Sequence, residues 1–213
     1  MKTKTCFAIF GSAVLAAAAI VLLSPRAGGA TYVPERIRAG IKLAESGDAQ
    51  AQLEIGNCYL HGDGVPADVA EAMRWWRLAA DQGNANAQLN LGVTLLSRGG
   101  SEGTAEAVKW ITRAAEAGDE TAQRNLGLMY LMGNGVPKHA RNAAVWMHRA
   151  AAKGDATAQY NLGIMFENGE GTAVDRQEAR RWYERAARNG HPQARQWLQR
   201  QERAQGEKAE VAQ

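Results

Sequence analysis

The chain has 213 residues, 46% of them hydrophobic, and its formal net charge is +3 at pH 7. Residues 1–30 hold three of the bases and none of the acids, so the remainder carries 22 bases and 22 acids. Such a balance excludes an electrostatic case for nucleic-acid binding, and we expect no nucleic-acid partner.

Residues 1–30 are predicted to be a secretory signal peptide. Lys2 and Lys4 precede an uncharged run over residues 6–23, and small residues follow at 27–30. The run is also long enough to remain as a membrane anchor. The sequence therefore predicts a periplasmic protein, with an inner-membrane anchor facing the periplasm as the alternative. Contact with a membrane is expected only if the segment stays uncleaved.

Beyond this segment the chain is organised by an internal repeat of 35 or 36 residues. One marker is a glycine preceded by Ala-Gln, at Gly56, Gly92, Gly127 and Gly163. A second marker is a tryptophan, at Trp75, Trp110, Trp146 and Trp182, which we expect to fill the core between hairpins. A period of this length is typical of stacked helical hairpins.

Local signals predict two helices in each repeat. Asp48 is placed to cap a first helix, and the Gly- and Pro-containing segment 61–66 interrupts it. Asp68 and Glu71 have the spacing of a capping box for a second helix, which Gly83 ends. Each such hairpin exposes an apolar face that only a neighbouring hairpin can bury.

The predicted organisation follows from these signals: a leading helix at 31–47, repeats at 48–83, 84–118, 119–154 and 155–190, a capping helix at 191–204 and a disordered tail at 205–213. Residues 97–103 of the second repeat lack the Gly-x-Gly-Val-Pro sequence of the first. We expect this segment to be the least ordered junction.

The repeat resembles the Sel-one-like repeat (SLR), a relative of the tetratricopeptide repeat. The resemblance is carried by Ala51-Gln52, Gly56, Tyr59, Gly62-Asp63-Gly64-Val65, Trp75, Ala79-Ala80 and Gly83, and it covers about residues 35–198. It implies an all-α, right-handed α/α superhelical solenoid whose first helices line a concave face. Members typically act as adaptors, many of them in the bacterial cell envelope.

A polar stripe on the first helices is the candidate binding surface. Positions 50, 54, 57 and 61 form this stripe in the first repeat, so Glu54 and Asn57 lie on it. Across the repeats one rung of the stripe reads Glu54, Asn90, Asn125 and Asn161. Asparagine amides suit the backbone of an extended peptide; alternatively, they bond a neighbouring helix and keep the repeats in register.

Two further residues extend this surface. Arg124 and Tyr160 stand where earlier repeats have Leu53 and Leu89, and we expect them to contact an acidic or aromatic group of the partner. The arginine-rich segment 176–203 is interleaved with acids. It is interpreted as a solvated helix face, with contact to an acidic partner as the alternative.

Patterns that suggest chemistry have structural interpretations here. The Gly-x-Gly pairs recur once per hairpin without a preceding strand, which favours interhelical turns. The four histidines lack ligand spacing, and surface or capping roles are expected, His191 as a helix cap among them. Cys58 is interpreted as a packed side chain, or alternatively as a reactive or intermolecular thiol.

The sequence therefore predicts no catalytic residue, no metal and no cofactor. We expect a monomeric, exported adaptor or scaffold, not an enzyme, that binds a protein or peptide partner on its concave face. The alternative function is that of cell-wall-active or antibiotic-binding relatives of the SLR family. Those relatives are rich in cysteine, whereas this chain has two cysteines.

Overall fold

The computed structural model describes the backbone of residues 33–211 and the side chains of residues 33–205. The predicted signal peptide lies outside these residues. The described helices are α1 Glu35–Glu45, α2 Ala49–His61, α3 Val69–Asp81, α4 Ala85–Arg98, α5 Ser101–Glu116, α6 Glu120–Met132, α7 Ala140–Ala152, α8 Ala156–Asn168, α9 Arg176–Arg188 and α10 Pro192–Val211. The predicted all-α class is confirmed.

The described residues divide into two compact units, the first ending at Leu78 and the second beginning at Ala79. In the first unit α1 packs on α2. In the second, α4 packs on α5, α6 on α7 and α8 on α9, while α6 and α8 also pack on the second helix of the preceding hairpin. Across the helices that the structure describes, none is long and apolar enough to span a membrane.

The cap predicted at Asp48 is present, and equivalent residues cap the first helices of the other repeats. Each cap side chain accepts a hydrogen bond from the backbone N–H three residues later, at 2.7–3.0 Å, at Asp48, Asn84, Asp119 and Asp155. The predicted capping box is only half formed. Asp68 accepts from the N–H of Glu71, but its own N–H donates to the Tyr59 carbonyl at 2.8 Å instead of to the Glu71 carboxylate.

Two segments are more helical than predicted. Helix α4 continues to Arg98 and α5 begins at Ser101, so only Gly99 and Gly100 separate them. Both glycines have positive φ, 72° and 89°, which permits the abrupt turn that replaces the longer loop. Within the predicted disordered tail, residues 205–211 continue helix α10, which ends at Val211 and has no proline after Pro192 to interrupt it.

Each repeat glycine accommodates a large side chain of the second helix. A Cβ on Gly56 would lie 2.4 Å from Trp76, and one on Gly163 would lie 2.6 Å from Tyr183. The residue after each repeat tryptophan therefore fills the space beside the glycine. The tryptophans themselves are buried, with the exception of half-buried Trp146.

A buried glutamine ties each first helix to the helix before it. Its Nε2 donates to the carbonyl of the alanine eight residues earlier at 3.0 Å, in the pairs Gln52–Ala44, Gln88–Ala80, Gln123–Ala115 and Gln159–Ala151. These side chains are 4–5% exposed. The register role considered for the asparagines thus belongs to the glutamines.

Candidate functional site

Two of the predicted binding residues lie in the first unit. Glu54 is exposed and accepts a hydrogen bond from Gln50 at 3.0 Å. Asn57 is half-buried, and its Oδ1 accepts from Trp76 Nε1 at 3.1 Å. Asn57 therefore helps to fix the tryptophan that packs beside Gly56.

The asparagines of the second unit do not form one solvent-facing row. Asn90 is half-buried, Asn125 is 8% exposed and Asn161 is fully buried. Neither amide atom of Asn161 has a hydrogen-bond partner among the described residues. The prediction that Asn125 and Asn161 offer amides to a partner is wrong, because neighbouring packing covers both side chains.

Arg124 forms an ion pair within its own chain. Its Nη1 lies 2.5 Å from Asp155 Oδ2, and the two side chains are 23% and 7% exposed. The predicted contact with an acidic partner is thus replaced by an ion pair with the cap of α8. Arg124 joins α6 to the beginning of the next repeat.

Tyr160 belongs to an aromatic cluster, defined here as Tyr160, Tyr183, His191 and Trp197. The rings of Tyr160 and His191 stack with centroids 4.4 Å apart and planes 19° apart. Tyr183 lies 5.5 Å from Tyr160 and 4.3 Å from Trp197. The cluster joins α8, α9 and α10 and leaves Tyr160 and Trp197 partly exposed.

The predicted capping role of His191 is not what the structure shows. His191 is 7% exposed, and its Nδ1 has no hydrogen-bond partner among the described residues. Burial lowers the pKa of this imidazole, and the Asp155 carboxylate opposes the shift. His191 is therefore a neutral, stacked core ring at pH 7.

Charged groups lie next to the cluster. The Tyr183 hydroxyl donates to Glu167 Oε2 at 2.6 Å. Burial is the larger cause that raises the pKa of Tyr183, and this hydrogen bond is the second. Burial and then Glu167 raise the pKa of Tyr160, while Arg200 lowers it. A partly exposed phenol thus stands within the influence of one carboxylate and one guanidinium, both exposed.

The sequence contained a signal for this cluster that hydrophobic patterning alone does not reveal. Tyr183 replaces Trp76, Ile111 and Met147 of the other repeats, and Trp197 falls at the position of Asn161. Cys58, by contrast, is half-buried and burial raises its pKa, so it remains a thiol at neutral pH. Within residues 33–205, no group of three or more potential ligand side chains could hold a metal ion.

The family is defined by the repeats themselves. The Sel1 repeat matches residues 49–84, 85–119, 121–155 and 156–191, which is more than half of the chain. The chain therefore belongs to the Sel1 repeat family, as the resemblance predicted. No curated protein matches the chain.

Solved structures agree with this assignment. A protective antigen of uropathogenic Escherichia coli with an SLR fold is 37% identical, with a TM-score of 0.70 over 74% of this chain and 34% of that one. A Sel1 repeat protein from Oxalobacter formigenes is 36% identical, with a TM-score of 0.70. The match covers 74% of this chain and 65% of that protein. The chain thus spans less than two thirds of either relative.

A third structure shares the fold alone. An immunity protein from Pseudomonas aeruginosa is 21% identical, with a TM-score of 0.50 over 84% of this chain and 66% of that one. Proteins built from Sel1 repeats generally mediate protein–protein interactions and are typically scaffolds without enzymatic activity.

Proposed function

We propose that this chain is an exported adaptor that binds a protein or peptide segment through residues of its second unit, on the side formed by the first helices. The aromatic cluster is the anchor of this site. Tyr160 and Trp197 supply apolar contact area, and Glu167 and Arg200 supply polar groups beside it. Asn90 on α4 is a further candidate contact.

The observation that carries the proposal is the stacking of partly exposed Tyr160 on buried His191. A ring held in this way loses little conformational freedom when a partner binds, so the entropic cost of association is small. Rigid tyrosine and tryptophan side chains beside polar groups are the residues that contribute most to many protein interfaces. The general role of Sel1 repeats in protein–protein interaction supports the same function.

Site-specific crosslinking in cells tests the site. A photoreactive phenylalanine derivative at Tyr160 should give a discrete crosslinked product, because it retains an aromatic ring at the proposed contact. The same derivative at Val174, which is 63% exposed outside the cluster, is the control. Identical products at both positions, or none at Tyr160, would refute the proposed site.

Export is tested separately. Cell fractionation and N-terminal sequencing of the mature protein should yield a periplasmic product beginning at Thr31. A product that retains residues 1–30 in the membrane fraction would favour the anchored form. Retention of the intact chain in the cytoplasm would contradict export altogether.

A further inference from the structure

A second surface of the same unit lies on its second helices. The positions are related by one helical stripe on each helix. They are Ala105, Lys109, Arg113 and Glu116 on α5; Arg141, Val145, Arg149 and Ala152 on α7; and Gln177, Arg181, Arg185 and Arg188 on α9. All twelve residues are exposed. We name this set the arginine face.

The charge of the arginine face is strongly one-sided. It holds seven cations and one carboxylate, that of Glu116, although the chain beyond residue 30 is balanced. Residues 138–153, which include all of α7, contain no acid. Both glutamates of α9 pair with arginines of their own helix, Glu178 with Arg181 and Glu184 with Arg180. Arg181 is thus the one cation of the arginine face with an ion pair among the described residues, and the other six have none.

The guanidinium groups are held in place by the repeat tryptophans. Arg113, Arg149 and Arg185 lie over the rings of Trp110, Trp146 and Trp182, at 4.4–4.9 Å from the ring centroids. His148 of α7 meets the Trp182 ring edge-on at 5.5 Å, so α7 and α9 are in direct contact. The three arginines thus recur once per repeat, each supported by a ring.

These features favour one class of partner. We infer that the arginine face binds an acidic peptide segment of a second protein, distinct from the ligand of the aromatic cluster. Fixed guanidinium groups can form paired hydrogen bonds with carboxylates, and exposed Val145 offers an apolar contact between Arg141 and Arg149 on α7.

Other anionic partners fit less well. Insertion into a membrane surface requires a broad apolar face, and Val145 is the one large hydrophobic side chain among the twelve residues of the arginine face. Single-stranded nucleic acid would need open aromatic rings for base stacking. The arginines instead cover the tryptophan rings, two of which are at least 96% buried, Trp110 and Trp182.

Binding of a defined peptide tests the inference. The probe is a fluorescein-labelled synthetic peptide of glutamates with a single leucine, added to the full mature chain at low salt. We expect saturable binding that weakens as salt is raised, and a loss of at least about tenfold in affinity for Arg149→Glu plus Arg185→Glu. Arg149→Gln plus Arg185→Gln should show a smaller loss of about threefold or more, without charge reversal.

The control is Arg98→Glu plus Arg176→Glu, which changes the net charge equally at exposed arginines outside the arginine face. Its affinity should stay within about twofold of the wild type. Equal losses in both double variants, or no loss in the arginine-face variants at native helicity, would overturn the inference. Arginine-dependent binding of phosphatidylglycerol vesicles or an oligonucleotide, without peptide binding, would also overturn it. The crosslinking at Tyr160 is unaffected by any of these results.

Discussion

Arg124 and Asp155 join two successive repeats through a single carboxylate. Asp155 Oδ2 lies 2.5 Å from Arg124 Nη1, while its Oδ1 accepts from the Ala158 N–H at 2.7 Å. Asp119 caps α6 in the same way, but Leu89 stands at the position equivalent to Arg124. The two caps therefore form a natural comparison.

We expect Asp155→Ala to lower the free energy of unfolding by about 1–2 kcal/mol more than Asp119→Ala. Loss of a cap alone costs about 1 kcal/mol, and Asp155→Ala also leaves the Arg124 guanidinium without its carboxylate in a partly buried site. Urea unfolding, monitored by circular dichroism, measures the free energy of unfolding of both variants. Equal losses would show that the ion pair contributes nothing.

The buried glutamines should be sensitive to loss of their amide. Gln123→Leu leaves the Ala115 carbonyl without the hydrogen bond that Nε2 now donates at 3.0 Å. The Ala115 carbonyl still accepts from the Gly118 N–H at 3.1 Å. We therefore expect a loss of about 0.5–1.5 kcal/mol of stability, the net contribution of one hydrogen bond. Gln193→Leu on exposed α10 is the control, and its stability should stay close to that of the wild type. A Gln123→Leu variant of unchanged stability would contradict the register role.

Two glycine-to-alanine substitutions should change the stability of the fold in opposite directions. A Cβ at Gly163 would lie 2.6 Å from the Tyr183 ring, so Gly163→Ala must displace Tyr183 and its bond to Glu167. We expect a loss of about 1–3 kcal/mol. At Gly103 the nearest atom would be the Leu95 carbonyl oxygen, 3.5 Å away, so Gly103→Ala should stabilise α5 by about 0.5–1 kcal/mol. Thermal melts of both variants check the pair.

The stability of the second unit should fall on acidification because of His191. Burial lowers the pKa of His191 in the folded protein below its unfolded value of about 6.5. The unfolded chain binds more protons than the folded one between the two pKa values. This contribution to stability is therefore complete above the unfolded pKa and is lost as the pH falls from there through the folded pKa.

His191→Phe keeps an aromatic ring beside Tyr160 but removes the titrating group. Its melting temperature should decline less than that of the wild type between about pH 7 and pH 5. His61→Gln, on an exposed side chain of the first unit, should retain the wild-type decline. If the melting temperatures of the wild type and His191→Phe fall equally with pH, His191 is excluded as the cause of the acid destabilisation.

Asn161 offers a substitution that should stabilise the fold. Its amide is fully buried and neither of its polar atoms has a hydrogen-bond partner among residues 33–205. Asn161→Leu removes the cost of desolvating this amide, and we expect a gain of about 1–2 kcal/mol. Exposed Asn168→Leu serves as the control. Destabilisation by Asn161→Leu would show that the amide is needed in the core.

Much of the fold could be predicted because its signals are local. Asp48 and Gly83 mark where helices begin and end through their own side-chain and backbone chemistry, and that chemistry does not depend on distant residues. The segment 97–103 is more helical than its sequence indicated, because two glycines suffice to connect α4 and α5. Glycine occurs in tight turns and in irregular loops alike, so these residues do not show which of the two connects the helices.

The candidate site was harder to predict because burial of a polar residue depends on tertiary neighbours. Asn125 and Asn161 follow the same helical spacing as exposed Glu54, yet they are buried. Arg124 was expected to meet a partner's carboxylate, and the carboxylate that it meets is 31 residues later in its own chain. Tyr160 remains a candidate contact. Its stacking on His191 could not be predicted from the sequence, because that stacking depends on where α10 packs.

The glutamine–alanine bond has an evolutionary consequence. Because every repeat presents the same alanine carbonyl and receives the same glutamine amide, duplication or deletion of a whole repeat rejoins chemically equivalent surfaces. Excision of residues 119–154 would place Asp155 directly after Gly118, where Asp119 now stands, and would bring Gln159 to the Ala115 carbonyl. Such a chain can gain or lose length in steps of one repeat without inventing a new interface, whereas its Arg124–Asp155 ion pair would disappear with the excised segment.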